Sequence, residues 1–192
     1  MGACALFSNK YRYLTSELAT ADSITVDCHK LLNITMQCSC VLVKEGNLLN
    51  ECSTVTAPYL FHKYGNSVDH SQRSFQCGRK ADGFKLWFCD AVDDLDKQAT
   101  MVYDRAGNFH KILAGDERFN HIYADSPTHI CFRVRGKEEI DYEKAVEGLR
   151  RRGFYIEYYI DFFRLVPVNE SFGEEQLKSV LDEIYNVVMK EC

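Results

Sequence analysis

Apolar positions change their rhythm along the 192-residue chain. Over residues 1–57 short apolar groups are separated by polar turns, the pattern of short strands: Ala5-Leu6-Phe7, a polar helix-compatible stretch from Asn9 to Thr20, then Ser23-Ile24-Thr25-Val26. Gln37-Cys38-Ser39-Cys40-Val41-Leu42-Val43 is almost continuous in apolar and small residues, which predicts a strand buried on both faces. Lys44-Glu45-Gly46-Asn47 supplies a turn, and Leu48 opens a short helix. Residues 58–80 lose the periodicity. His62 to Arg73 is polar and aperiodic, a loop of a length that is uncommon unless it is functional or disordered.

From residue 81 the spacing becomes helical, through Phe84-Lys85-Leu86-Trp87-Phe88 and on past Leu95. The tail reads as an α/β unit. Thr128 to Val134 alternates like a strand, Tyr142 to Arg152 is a helix closed by Gly153, and Phe162 to Val166 is another strand. Ser171-Phe172-Gly173-Glu174 has the form of a capping box, and the helix it opens sets Leu177, Val180, Leu181, Ile184, Val187 and Val188 on one face. A strand–helix–strand–helix ending covers one face of a sheet.

Composition narrows the class. Hydrophobic residues at 46% suit a packed core, and the net charge of -5 is spread over interleaved acids and bases. The one dense basic run, Arg150-Arg151-Arg152, falls at a helix end, where cations suit the dipole, so it does not call for nucleic acid. No run of about 18 apolar residues predicts a membrane span, and the first residues have neither the charge nor the apolar stretch of a signal peptide. Nine cysteines, at 4, 28, 38, 40, 52, 77, 89, 131 and 192, lack the paired spacings of a zinc site or disulfide framework. Cys38, Cys40, Cys89 and Cys131 sit in apolar runs as small hydrophobes, and a reducing cytoplasm is the expected compartment.

The candidate chemistry centres on Val26-Asp27-Cys28-His29-Lys30-Leu31-Leu32. A lysine at the end of an apolar strand, straight after a histidine, commonly snorkels to the surface. Its functional reading is a Schiff-base lysine, whose pKa of about 10.4 must fall before the amine is a nucleophile. The surrounding motifs decide between the two. Gly2-Ala3-Cys4-Ala5-Leu6-Phe7-Ser8, His29-Lys30, Met36-Gln37-Cys38-Ser39, Tyr59-Leu60-Phe61, Gln76-Cys77-Gly78-Arg79, Phe84-Lys85-Leu86-Trp87, His129 with Cys131-Phe132, and Phe162-Phe163-Arg164-Leu165-Val166 stand in one order and spacing. In that order the chain resembles the group II pyridoxal-phosphate (PLP) dependent amino-acid decarboxylases, above all the glutamate and cysteine-sulfinate decarboxylases, over nearly its whole length.

The resemblance implies an α/β chain of the PLP-dependent transferase type (aminotransferase-like, fold type I). Residues 1–90 would be the end of the PLP-binding large domain, with a catalytic loop at 58–80, and 91–192 the small C-terminal domain. It implies decarboxylation of an acidic amino acid: glutamate, cysteine sulfinate or aspartate. Lys30 would bind the cofactor covalently, His29 would lie against its phosphate, and Arg164 would clamp a substrate carboxylate with its planar fork. Tyr64 would be the proton donor on the catalytic loop. Without the resemblance, Arg164 reads as an edge-strand arginine in water. Two departures stand out. Asp27-Cys28 occupies the place of the family's Asn-Pro, and an ionised Asp27 in the cofactor site would repel the phosphate. The family's aspartate for the pyridine nitrogen is expected just before Met1, with the ring-stacking residue further upstream. The expected partners are therefore an amino-acid substrate and either a homodimer or a chain supplying the upstream half. The alternative is a non-catalytic homologue that acts as a binding partner.

Overall fold

A computed structural model describes residues 2–52 and 78–192. They form two compact units, Ala3–Leu95 and Asp96–Cys192.

In the first unit, β1 (Ser23–Asp27) and β2 (Ser39–Val43) pair antiparallel, from Ser23 opposite Val43 to Asp27 opposite Ser39. Between them the chain makes a single turn of helix, α1 (Cys28–Leu31), and His29 N–H donates to Cys38 O at 3.1 Å, closing the connection. The helical turn forms because Cys28, Leu31 and Leu32 go inward together, which leaves Lys30 outside. Two 3-10 stretches precede the strands, Gly2–Phe7 and Arg12–Thr20. The first replaces the expected strand at Ala5-Leu6-Phe7: adjacent Cys4 and Ala5 are both buried, which an alternating strand cannot do, and Ser8 N–H closes the turn on Ala5 O at 3.1 Å. The expectation of a doubly buried strand at 37–43 is also corrected. β2 begins at Ser39, β1 is its only partner among the described residues, and Val41 is 52% exposed.

After α2 (Leu48–Cys52), description resumes at residue 78 and α3 (Asp82–Asp93) follows. Phe84, Trp87, Phe88 and Val92 form an exposed stripe on it, with Trp87 63% exposed, at the i, i+3, i+4, i+8 spacing of one helix face. Asp94, at φ 53°, breaks the helical run that the sequence pattern joins through Leu95.

The second unit is built on one antiparallel sheet, in the order β3 (Phe119–Ile122), β4 (Ile130–Val134), β6 (Phe162–Leu165), β5 (Glu157–Tyr159). α4 (Leu95–Ala114), α5 (Tyr142–Arg151) and α6 (Glu174–Glu191) supply its helices. Phe109 and Leu113, Phe119, Ile130, Phe132 and Phe163, Leu149, and the predicted face of α6 from Leu177 to Val188 are buried in one cluster. Asp141 caps α5, its carboxylate accepting Lys144 N–H at 3.0 Å, and Gly153 ends it in the left-handed region at φ 86°. Gly148 lets α5 approach α6: a Cβ there would lie 2.9 Å from Val187 Cγ1. The capping box at Ser171 is corrected. α6 starts two residues later than that pattern implies, with Gly173 N–H donating to Gln176 Oε1 at 3.0 Å, while Asn169 Oδ1 accepts Ser171 N–H at 2.9 Å. The basic triplet does fall at the end of α5, where Arg152 pairs with Glu183 at 3.0 Å and Glu191 at 2.5 Å.

Candidate cofactor site

Asp27 is the last residue of β1 and stands at the entrance to α1, yet its carboxylate caps no helical N–H. Instead Oδ2 lies 2.7 Å from Lys30 Nζ, one helical turn on, and Oδ1 accepts from Ser39 Oγ at 2.7 Å across the strand pair. Lys30, then Ser39, hold the Asp27 carboxyl at about 2, well below the ordinary aspartate range. Lys30 remains 47% exposed along its side chain.

His29 Nδ1 lies 2.8 Å from Cys38 O and 3.3 Å from Cys38 N. One nitrogen cannot donate to the first and accept from the second, and the shorter contact fixes the tautomer: Nδ1–H donates to the carbonyl. Nε2 is then left for another partner. Beneath this turn the thiols are buried hydrophobes. Burial pushes Cys28 up to about 12 and Cys4 up to about 11, so both stay protonated.

Arg164 is in the second unit. Its β6 lies between β4 and β5, so Arg164 is on an inner strand and not on the edge strand expected without the resemblance. Its side chain is 37% exposed, and the guanidinium donates to Glu157 Oε2 at 3.2 Å on the neighbouring β5. His129, just before β4, is held below the ordinary histidine value, by burial first and by the Arg164 charge second. Tyr64 and residues 58–77 of the expected catalytic loop lie outside the described residues.

The arrangement suits an aldehyde cofactor that carries a phosphate. An accessible primary amine follows an imidazole whose Nε2 has no partner among the described residues, and Asp27 is turned to Lys30 and Ser39. Ser39 is the residue that sequence reasoning passed over. Its signal was its cross-strand position opposite Asp27, which only the pairing register reveals.

The fold matches solved structures over almost all of this chain. Mouse CSAD superposes with a TM-score of 0.81 at 25% identity, over 97% of this chain and 43% of that one. Oryza sativa TDC with PLP and tryptamine matches at 0.80 and 22%, over 97% and 42%. Catharanthus roseus tryptophan decarboxylase in complex with L-tryptophan matches at 0.76 and 22%, over 97% and 42%. These define the class: an α/β chain of the fold type I PLP-dependent enzymes, spanning less than half the length of the structures it matches. The family profile described as pyridoxal-dependent decarboxylase conserved domain covers residues 1–135. The chain belongs to that family, whose cofactor is pyridoxal 5'-phosphate.

Proposed function

We propose that this chain carries the cofactor lysine and the C-terminal domain of a decarboxylase acting on an acidic amino acid. The observation that carries the reading is Lys30, an accessible amine on the helical turn that ends β1, beside His29 and inside the span matched by the family. Lys30 would take the cofactor's aldehyde and His29 its phosphate, by way of Nε2. PLP, when bound, supplies the electron sink for loss of the α-carboxylate as CO2. Arg164 supports an acidic substrate, because a guanidinium fork can exchange the exposed Glu157 carboxylate for one on the ligand. Tyr64 would return the proton. Residues 1–90 would be the end of the large domain, with its loop at 58–80, and 91–192 the small domain, in a cytoplasmic protein.

The partner in this reading is the remainder of the large domain, which the matched structures carry beyond the 43% that this chain covers, within a homodimer. The exposed stripe of α3 and the sheet-poor β1–β2 pair are surfaces such a partner would cover. Trp87 is the only tryptophan, so its emission would shift to the blue when that half is added. Emission unchanged by a purified upstream half of mouse CSAD would remove this face from the interface.

A second reading, a non-catalytic homologue, is favoured by one observation: Lys30 is already paired with Asp27. The test is incubation with PLP, borohydride reduction and peptide mapping. The decarboxylase reading expects a single fixed adduct on Lys30, lost in Lys30→Ala. Label spread evenly over Lys10, Lys30 and Lys44 would sink it. CO2 release from glutamate, aspartate or cysteine sulfinate is expected only with the complementary half present.

A further inference from the structure

The sequence presents Asp27 as a liability to phosphate binding, but the structure gives it a different occupation. Its two oxygens are both engaged, one by Lys30 Nζ and one by Ser39 Oγ, each at 2.7 Å. Ser39 opens β2 directly opposite Asp27, so the hydroxyl is delivered by backbone pairing and does not depend on a flexible arm. With Oδ1 pinned, Oδ2 is fixed over the turn of α1 where Lys30 emerges. A lysine attacks a carbonyl with its nitrogen lone pair, and one held against a fixed carboxylate must first leave that contact.

We infer that Asp27, fixed by Ser39, is a positioning residue that holds Lys30 in an ion pair and restrains its attack on carbonyl carbon. The control is local. Lys85 has its own partner in Asp82, at 2.8 Å, and Lys44 is an exposed lysine on the same unit. The restraint is a property of the amine itself. It rests on the cofactor reading above only for its consequence, that this chain takes up PLP slowly until the pair is opened.

Two carbonyl probes test it. With trace acetic anhydride, the neutral Lys30 amine forms a C–N bond to the carbonyl carbon, acetate leaves, and the amine proton passes to solvent. With pyridoxal, which lacks the phosphate, the amine forms a C=N bond, the aldehyde oxygen leaves as water, and borohydride adds hydride to fix the product. Labelling of Lys30 relative to Lys44 and Lys85 is read by peptide mapping in the full chain. Asp27→Asn keeps the shape and the bond to Ser39 but removes the charge, and is expected to raise the Lys30 ratio about two- to fivefold with both probes, the scale of an exposed ion pair. Ser39→Ala, which frees the carboxylate without discharging it, is expected to give a smaller rise.

An unchanged ratio in Asp27→Asn would overturn the inference, as would Lys30, Lys44 and Lys85 rising together, the mark of a loosened unit. A gain with PLP that neither pyridoxal nor the anhydride reproduces would also overturn it, because Asp27 would then act on the phosphate. If the anhydride ratio rises while no variant fixes pyridoxal on Lys30, the restraint stands and the cofactor reading fails.

Discussion

The two units of this chain satisfy their apolar residues in opposite ways. In Asp96–Cys192 the sheet faces and the α6 stripe close on one another, and Phe132, Phe163, Leu149 and Ile184 retain essentially no exposed surface. Among the described residues of Ala3–Leu95 the sheet has two strands, and Val41, Phe84, Trp87 and Val92 are exposed. A lone strand pair is marginal in water without further strands or packing. One unit closes a core of its own, whereas the described residues of the other leave apolar side chains exposed. The residues with candidate cofactor chemistry sit on the second kind.

The comparison is sharpest in a pair of truncations. Phe163→Ala empties a fully buried ring site that contacts Phe132 and Tyr142 and is expected to cost about 3–5 kcal/mol. Phe84→Ala removes a ring that is 60% exposed and should stay within about 0.5 kcal/mol. Urea unfolding followed by circular dichroism measures both. Equal losses would show that α3 already has a buried partner and would break the contrast.

A smaller effect reports on the second unit alone. Ser126 O can only accept, so His110 Nε2 carries a proton and donates to it at 2.7 Å. His110 Nδ1 meets His121 Nε2 at 2.6 Å, a contact that ties α4 to β3. Burial first, and the neighbouring His110 second, lower His121 below the ordinary value of 6.5. The unfolded chain thus binds a proton at a higher pH than the folded one. Stability should fall as pH drops below 6.5, until the folded group also titrates. Unfolding midpoints at pH 7.5 and 5 should differ in the native chain, and the difference should shrink in His121→Asn, with the remainder assigned to His129, which is lowered in the same direction. A pH dependence undiminished by the substitution would place its origin elsewhere.

Much of the second unit was legible in the sequence, because its elements carry their own period. The α6 face, the end of α5 at the arginine triplet and Gly153, and the strands containing Phe132 and Phe163 all follow from apolar spacing and termination signals. β3 and β5 were not legible. One is a four-residue strand containing Asn120 and His121, and the other is three residues long and exposed throughout, so neither alternates long enough to register. In the first unit the apolar run at 37–43 truthfully signals a strand, but burial on both faces depends on neighbours that composition cannot supply. Ala5-Leu6-Phe7 is too short for its period to separate a strand from a helical turn.

The candidate site divides along the same line. By itself the sequence determined the family, since eight short motifs in register constrain a fold more than any one of them, and it nominated Lys30, His29 and Arg164 as the candidate amine, imidazole and guanidinium. What the tertiary structure alone decided is which partners those groups hold. Asp27 turns toward Lys30 because α1 coils straight out of β1, and toward Ser39 because the β1–β2 register sets the two residues opposite each other. Arg164 sits on an inner strand beside Glu157 because β5 pairs outside β6. Side-chain type is local and is written in the sequence, whereas the charge that faces a side chain is set by residues brought near only through folding.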